Sequence, residues 1–313
     1  MHFYFFIVRL AALFGNEKAK KLVEGQNQTL PLLRASETPS LKGCVWFHVA
    51  SVGEFEQARP VIERLRESNP QTKILLTFFS PSGYELRKDY DKVDWVGYLP
   101  FATRRNAKAF LDQVEPRMAI FVKYEFWPAY LRELQKRKIE TWLISAVFRP
   151  KQLFFRPWGR LYRQVLTRFS RMFVQDEASQ SLLAKYKMTN VEVAGDTRFD
   201  RVSTVKNKVV SLPAVEQFIG STKKVIIGGS TWPDDEALLV RYVEEHEDTK
   251  LMLVPHEIDE EHLHRIFMQV KGRCVRYSQA TPVNVLYTRV LVVDVMGILS
   301  SLYRYGQVAY IGG

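Results

Sequence analysis

Trp46-Phe-His-Val-Ala-Ser-Val-Gly-Glu54 is an apolar, β-branched run that stops abruptly at Ser-Val-Gly-Glu and then takes on helical spacing. A strand that ends in a small polar turn and feeds a helix places that turn at the strand's carboxyl edge. In open α/β sheets ligands bind at that edge. Glu54 is the only charged residue at the turn, which makes it the first candidate for acid or base chemistry. Ser51 and Glu54 also fit the S-x-x-E capping box, in which Glu54 bonds back to the Ser51 amide. Spacing alone accommodates both roles. Three later segments repeat the layout: SPSG at 80–83, KYEFWP at 123–128 and GDTRFD at 195–200.

Working outward, the chain alternates from residue 44 between strand-like runs and helical periodicity. The runs are 44–50, 73–79, 95–100, 118–124, 141–148, 171–176 and 191–195. FEQARPVIERLRES, RRNAKAFLDQV and PAYLRELQKRK carry the clearest helical spacing between them. Such alternation predicts parallel βαβ units. A polar stretch around 199–222, containing Pro213, reads as an interdomain connection. The alternation restarts at 223–230, 250–256, 285–295 and 308–313. The expected fold class is α/β: two doubly wound halves with a ligand cleft between them. The second half stops on a strand and two glycines, so a fragment of a longer protein is expected. The predicted layout is an N-terminal segment over 1–25, one domain over 26–205 and a second, incomplete one over 206–313.

Forty-five Lys and Arg against 34 Asp and Glu leave a net charge of +11. That balance favours an anionic partner: nucleic acid, an anionic membrane or a phosphorylated substrate. Cys44 and Cys274 form neither a metal-ligand spacing nor a disulfide framework. MHFYFFIVRLAALF would make a helix of about 21 Å, short of the ~30 Å hydrocarbon core, and Arg9 interrupts it. Its serial aromatics, Phe3 to Phe6, followed by Lys18, Lys20 and Lys21, favour an interfacial anchor over a packed first helix. Residues 149–171 carry seven Arg or Lys and no acid. Such a segment suits nucleic acid, or anionic lipid with Phe154, Phe155 and Trp158 at the interface, or simply solvent.

Further candidates lie at the remaining turns. SPSG reads as a helix start with Pro81 in the first turn. Glu125 has apolar and aromatic neighbours in Tyr124, Phe126 and Trp127, which either raise its pKa by desolvation or bury a paired carboxylate. In GDTRFD, Arg198 either closes a salt-bridged turn with Asp196 or Asp200, or faces a phosphate or developing negative charge. GGST at 228–231, with Gly229, Ser230 and Thr231, reads as an anion cradle between strand and helix. Asp234, Asp235 and Glu236 fall in a first helical turn, where the macrodipole accounts for them, and no metal is expected there.

Taken in order, WFHVASVGE, SPSG, YLPFAT, YEFWP, ISAVF, FVQD, VAGDTRFD, GGSTWPDDE, DVMG and YIGG resemble the 3-deoxy-D-manno-octulosonic acid (Kdo) transferases of lipopolysaccharide synthesis. The resemblance runs through most of the chain and lies in the ordered set, since each motif alone is nonspecific. It implies a metal-independent, inverting glycosyltransferase of the two-domain GT-B fold. The implied reaction moves Kdo from CMP-Kdo to the tetraacyl disaccharide precursor of lipid A, at the cytoplasmic face of the inner membrane. The implied partners are thus CMP-Kdo, the lipid A precursor and an anionic membrane surface, with no cofactor and no nucleic acid. By the same resemblance, residues 1–25 associate with membrane, 26–205 bind acceptor and 206–313 bind the CMP-sugar.

Within the family's motifs, Glu54 matches the general base, and Glu125 and Arg198 match the positions that stabilise the transition state. Pro255, His256, Met296, Gly297 and Ile298 match segments that hold CMP. Arg198 stands where the family usually has Lys. Pro255-His256-Glu257 replaces Pro-Arg-His, and Met296-Gly297-Ile298 replaces Met-Gly-Glu. The chain ends before the glycine-rich stretch that completes the family's nucleotide site. The rival expectations are another GT-B nucleotide-sugar enzyme, a UDP-sugar transferase or epimerase, and a nonenzymatic basic protein binding RNA or membrane.

Overall fold

The computed structural model describes residues 2–35, 38–200, 211–222, 224–271 and 274–313. The chain divides into two compact units, Met1–Arg201 and Val202–Gly313, each built on its own parallel sheet. In the first, strands β1 (Val45–Val49), β2 (Ile74–Phe78), β3 (Trp95–Tyr98), β4 (Met118–Val122), β5 (Glu140–Ala146), β6 (Arg171–Val174) and β7 (Val191–Val193) lie in the order β3-β2-β1-β4-β5-β6-β7. The order reverses between β1 and β4, which pair in parallel from Val45↔Met118 to His48↔Phe121. This is a doubly wound sheet with its switch point between those two strands.

Both β1 and β2 are buried along their whole length, as central parallel strands covered on two faces must be. The pleat of β1 sends Trp46 into one core with Phe110, Phe121 and Tyr130. It sends Val45, Phe47 and Val49 into the other, with Phe55, Ile62 and Phe78. Helices α3 (Val52–Ser68), α4 (Pro81–Arg87), α5 (Arg104–Val114), α6 (Pro128–Lys136), α7 (Arg160–Leu166) and α8 (Glu177–Ala184) make the connections.

At the N-terminus α1 (His2–Leu13) lies against α2 (Glu17–Arg34). The boundary expected at residue 25 falls inside α2, which buries Leu22, Gln26, Thr29 and Leu33 along one stripe. Ile7, Leu10, Leu13 and Phe14 are exposed, whereas the side chains of Phe3 to Phe6 lie outside the described part. Among the described residues no helix is long and apolar enough to cross a membrane.

The second unit orders β8 (Lys224–Thr231), β9 (Thr249–Pro255), β10 (Cys274–Arg276), β11 (Val290–Val292) and β12 (Val308–Ile311) as β10-β11-β9-β8-β12, all parallel. Helices α9 (Pro213–Ile219), α10 (Pro233–Glu245), α11 (Glu260–Gln269) and α12 (Leu299–Leu302) accompany it. Two expectations change here. Part of the supposed connection is α9, which buries Val215 and Phe218 in this unit's core, and residues 201–210 lie outside the described part. Of the run 285–295 only Val290–Val292 is strand. Upstream, Thr281 and Asn284 exchange side-chain-to-backbone hydrogen bonds of 2.8 and 3.2 Å, a local alternative to a ladder. Both cysteines are free, and burial pushes each thiol up to about 12.

Candidate functional site

The site starts where β1 ends. Ser51 is extended and caps α3, its Oγ accepting from the Glu54 amide at 3.4 Å. The return bond differs from the expected one: Glu54 Oε2 accepts from the Ala50 amide, at 2.6 Å, and not from Ser51. Ala50 is the first residue past the paired part of β1, so its amide needs a partner at the turn. The cap thereby fixes the carboxylate at the strand's edge. Only 9% of Glu54 is exposed. Burial, and then the charge of Glu125, push its carboxyl up to about 7, against the Ala50 hydrogen bond and the charge of Lys123.

Glu125 comes from the turn after β4, the strand beside β1 across the switch point. Lys123 opens that turn in the left-handed region, φ 58°, with its amide donating to Ile144 O at 2.9 Å. Such a conformation in a non-glycine residue carries strain and clusters at functional turns. Glu125 is buried, and its Oε2 accepts from Trp127 Nε1 at 2.7 Å and meets His48 Nε2 at 2.9 Å. Glu125 is thus a buried carboxylate with side-chain partners from β1 and from its own turn. His48 is wholly buried in β1, and its Nδ1 meets the Thr77 hydroxyl at 2.9 Å.

Arg198 grips Asp196: Nε donates to Oδ1 and Oδ2 at 3.1 and 3.0 Å, and Nη2 to Oδ2 at 2.6 Å. Burial raises the Asp196 carboxyl, but the Arg198 hydrogen bonds outweigh it and hold the group below its ordinary value. The salt-bridged turn is therefore present, with the guanidinium itself largely exposed. This turn is stitched to α3 one helical turn beyond Glu54. Gln57 Nε2 donates to Asp196 Oδ1 at 3.2 Å, and Thr197 Oγ1 donates to Gln57 O at 2.6 Å. Ser145, at φ 53° beside the register shift of β5, meets Thr197 Oγ1 at 3.0 Å. SPSG adds a close approach: a Cβ on Gly83 would lie 2.8 Å from the Phe78 ring and 3.4 Å from the Ser51 backbone.

In the second unit GGST does not form a turn. Gly228 to Thr231 complete β8, and Gly228 and Gly229 pair with β9 and β12. Their missing side chains are filled by packing: a Cβ at Gly228 would meet Leu239 at 2.7 Å, and one at Gly229 would run into the Tyr303 hydroxyl. Thr231 is buried and donates to Glu236 Oε1 at 3.1 Å. Ser230 alone of the four takes φ 53°. Pro255 ends β9, and the exposed His256 ring stacks on Trp232 with centroids 4.7 Å apart. Met296, exposed, and Gly297, at φ 88°, precede Ile298, the N-cap of α12.

Protein groups occupy two of the three acids at 234–236. Asp235 accepts from the Trp232 amide at 3.0 Å and the Tyr310 hydroxyl at 2.6 Å, and Glu236 Oε2 meets His262 Nε2 at 2.8 Å. Among the described residues Glu257, Asp259 and His262 bring ligand-type atoms within 4.8 Å of one another. Asp259 is spent there as the cap of α11, accepting from the His262 amide at 3.0 Å.

The basic segment 149–171 is also corrected. Phe155 is buried and Phe154 packs against the aromatic core, which leaves Trp158 exposed, beside Leu153, Leu161 and Tyr162. Sequence reasoning missed His48, Gln57, Lys123 and Ser145 as parts of the first unit's site. Only His48 left a trace, as a lone titratable residue inside a buried apolar strand.

Two Rossmann-like units, each built on a parallel sheet, with two buried carboxylates at the first one's switch point, define an α/β enzyme of the GT-B type. A UDP-GlcNAc 2-epimerase from Neisseria meningitidis, bound to UDP-GlcNAc, superimposes with TM-score 0.58 at 16% identity, over 85% of this chain and 76% of that one. Another, from Methanocaldococcus jannaschii, gives 0.53 at 14%, over 86% and 78%. These likenesses concern the fold alone.

Residues 18–201 match the sequence profile of the family described as 3-Deoxy-D-manno-octulosonic-acid transferase (kdotransferase), and the chain belongs to that family. The 3-deoxy-D-manno-octulosonic acid transferase of Aquifex aeolicus is 27% identical over 87% of this chain and 70% of its own length. That of Rickettsia bellii is 22% identical over 99% of this chain and 73% of its own.

Proposed function

We propose that the protein transfers Kdo from CMP-Kdo to a hydroxyl of the tetraacyl disaccharide precursor of lipid A, with inversion and without a metal. The observation that carries this reading is Glu54: a buried carboxylate at the switch-point edge, poised to exchange a proton near neutral pH. A general base works best when its pKa lies near the operating pH. Glu54 takes the proton of the acceptor hydroxyl as that oxygen bonds to the anomeric carbon of Kdo. The bond from that carbon to the phosphate oxygen breaks, and its electron pair leaves with CMP.

Arg198, exposed on its Asp196 support, supplies a cation for the Kdo carboxylate or the departing phosphate. Glu125 acts through the charge it places beside Glu54. In the second unit CMP is held by the edge that carries Ser230, Pro255, His256 and Met296–Ile298. The enzyme works at the anionic cytoplasmic face of the inner membrane. Exposed Ile7, Leu10, Leu13 and Phe14, with Trp158 and Leu161 among basic residues, support that placement.

Mass spectrometry of a reaction containing the full-length chain, CMP-Kdo and the tetraacyl disaccharide, in excess EDTA, tests the proposal. A product heavier by one or more Kdo residues is expected, and CMP but not UDP should inhibit. No product with EDTA or without it, or protection by UDP instead, overturns it.

A further inference from the structure

His48 does more than fill the core. It is wholly buried in the middle of the sheet, on a strand whose other four residues are apolar. Its ring is anchored at both nitrogens. Nδ1 meets Thr77 on the neighbouring strand, at 2.9 Å from the hydroxyl and 3.1 Å from the carbonyl, and Trp46 Nε1 donates to the same hydroxyl at 2.8 Å. Nε2 lies 2.9 Å from Glu125 Oε2. Phe121 and Trp127 pack edge-on against the ring, with centroids 5.8 and 5.9 Å away. The chain Trp46–Thr77–His48–Glu125 thus runs through the core and ends on the carboxylate whose charge acts on Glu54.

We infer that His48 is a positioning residue: its contact with Glu125 fixes where that carboxylate sits beside the turn of Glu54, and so sets the pH at which Glu54 can act as a base. The inference rests on the proposed role of Glu54. The groups acting on Glu54 are Glu125 and, in the opposite sense, Lys123; Glu125 in turn meets His48 from β1 and Trp127 from its own turn. Without His48 the Glu125 carboxylate loses the contact that fixes its position, and its charge opposes ionisation of Glu54 less.

The variants separate this role from simple packing. In Gln the side-chain Nε2 occupies nearly the position of the histidine Nε2, so His48→Gln keeps a donor toward Glu125. His48→Asn keeps a polar group toward Thr77 and loses the donor. With His48→Asn the acid limb of kcat/KM should move to lower pH by about one unit, a tenfold change in proton affinity, and kcat should fall. Glu125→Gln should move the limb the same way, and His48→Gln should leave it near the wild-type position.

Carbon-13 titration of the glutamate carboxyls, assigned with Glu54→Gln, reads the same shift without any transfer reaction. In the unmutated chain the His48 Nε2 nitrogen-15 signal should move in step with the Glu54 titration, and Glu54→Gln should abolish that step. This last measurement needs no change at His48 and stands even if the Asn variant does not fold. An unchanged titration in both His48→Asn and Glu125→Gln, or a His48 signal indifferent to Glu54, overturns the inference. A carboxyl titration that shifts as described in a chain that transfers no Kdo would instead sink the proposed reaction and leave the coupling standing.

Discussion

Glu54, in the first turn of α3, and Glu125, in the turn after β4, follow adjacent parallel strands on either side of the switch point, and the charge on Glu125 raises the proton affinity of Glu54. Neither carboxylate is loose. One is tied to the Ala50 amide, the other to Trp127 and His48. Two carboxylates held in different surroundings can divide the work, one as base and one as fixed charge.

Glu54→Gln should abolish Kdo transfer while the fold persists. The amide oxygen can still accept from Ala50, so the cap survives, but the group cannot take a proton. Were Glu54 a cap alone, turnover would survive with a stability change of about 1 kcal/mol or less. Turnover and melting temperature measured on the same preparation decide, and retention of most activity removes Glu54 as the base.

The raised Glu54 carboxyl also makes a pH prediction. Its folded value of about 7 lies above the ordinary value of 4.5, so the fold favours the protonated form. That stabilisation is complete below pH 4.5 and is lost as pH rises toward 7, by something on the order of 3 kcal/mol. Activity should run the other way and rise through pH 7 as Glu54 ionises. Denaturant unfolding of wild type and Glu54→Gln across pH 4 to 8 should show the gap changing only in that window. A pH-independent gap contradicts the assignment.

Arg198→Ala should lower kcat by roughly 10²–10³, the size expected on removing one preorganised electrostatic contact. Arg198→Lys should retain much of the activity. The Asp196 pair suggests a structural role instead, in which the Ala variant melts early yet turns over normally. Because the pair is more than half exposed on the arginine side, its own contribution to stability should be small. An unstable but fully active Ala variant would dismiss Arg198 from the chemistry.

Binding to anionic liposomes should weaken on deleting residues 1–14, and again on replacing Trp158 and Leu161 with Ala. High salt should weaken what remains, since each Lys or Arg near an anionic surface adds about 1 kcal/mol. Phe155→Ala should act through folding alone, because that ring is buried. Salt-independent binding, or none, would count against the membrane face.

The α/β class was legible because buried parallel strands must be continuous apolar runs, and β1, β2 and β4 read as such without any partner in view. Turn chemistry marked their ends, which is why Glu54, Glu125 and Arg198 stood out by position alone. What the sequence could not carry was anything set by contacts between distant segments. Gly228 and Gly229 look like a phosphate loop in one dimension, and only Leu239 and Tyr303 packing over them shows why no side chain fits. The run 285–295 is apolar enough for one long strand, but its first half is held in local turns. Phe154 and Phe155 sit in a basic stretch that suggests exposure, and the tertiary core takes them in. The His48–Glu125 contact joins residues 77 positions apart. Local pattern fixes where strands stop, because backbone propensity and burial are read residue by residue. Which side chains then meet at those stops, and with what proton affinity, is decided by strand order, since only the β1–β4 neighbourhood sets the two carboxylates within reach of each other's charge.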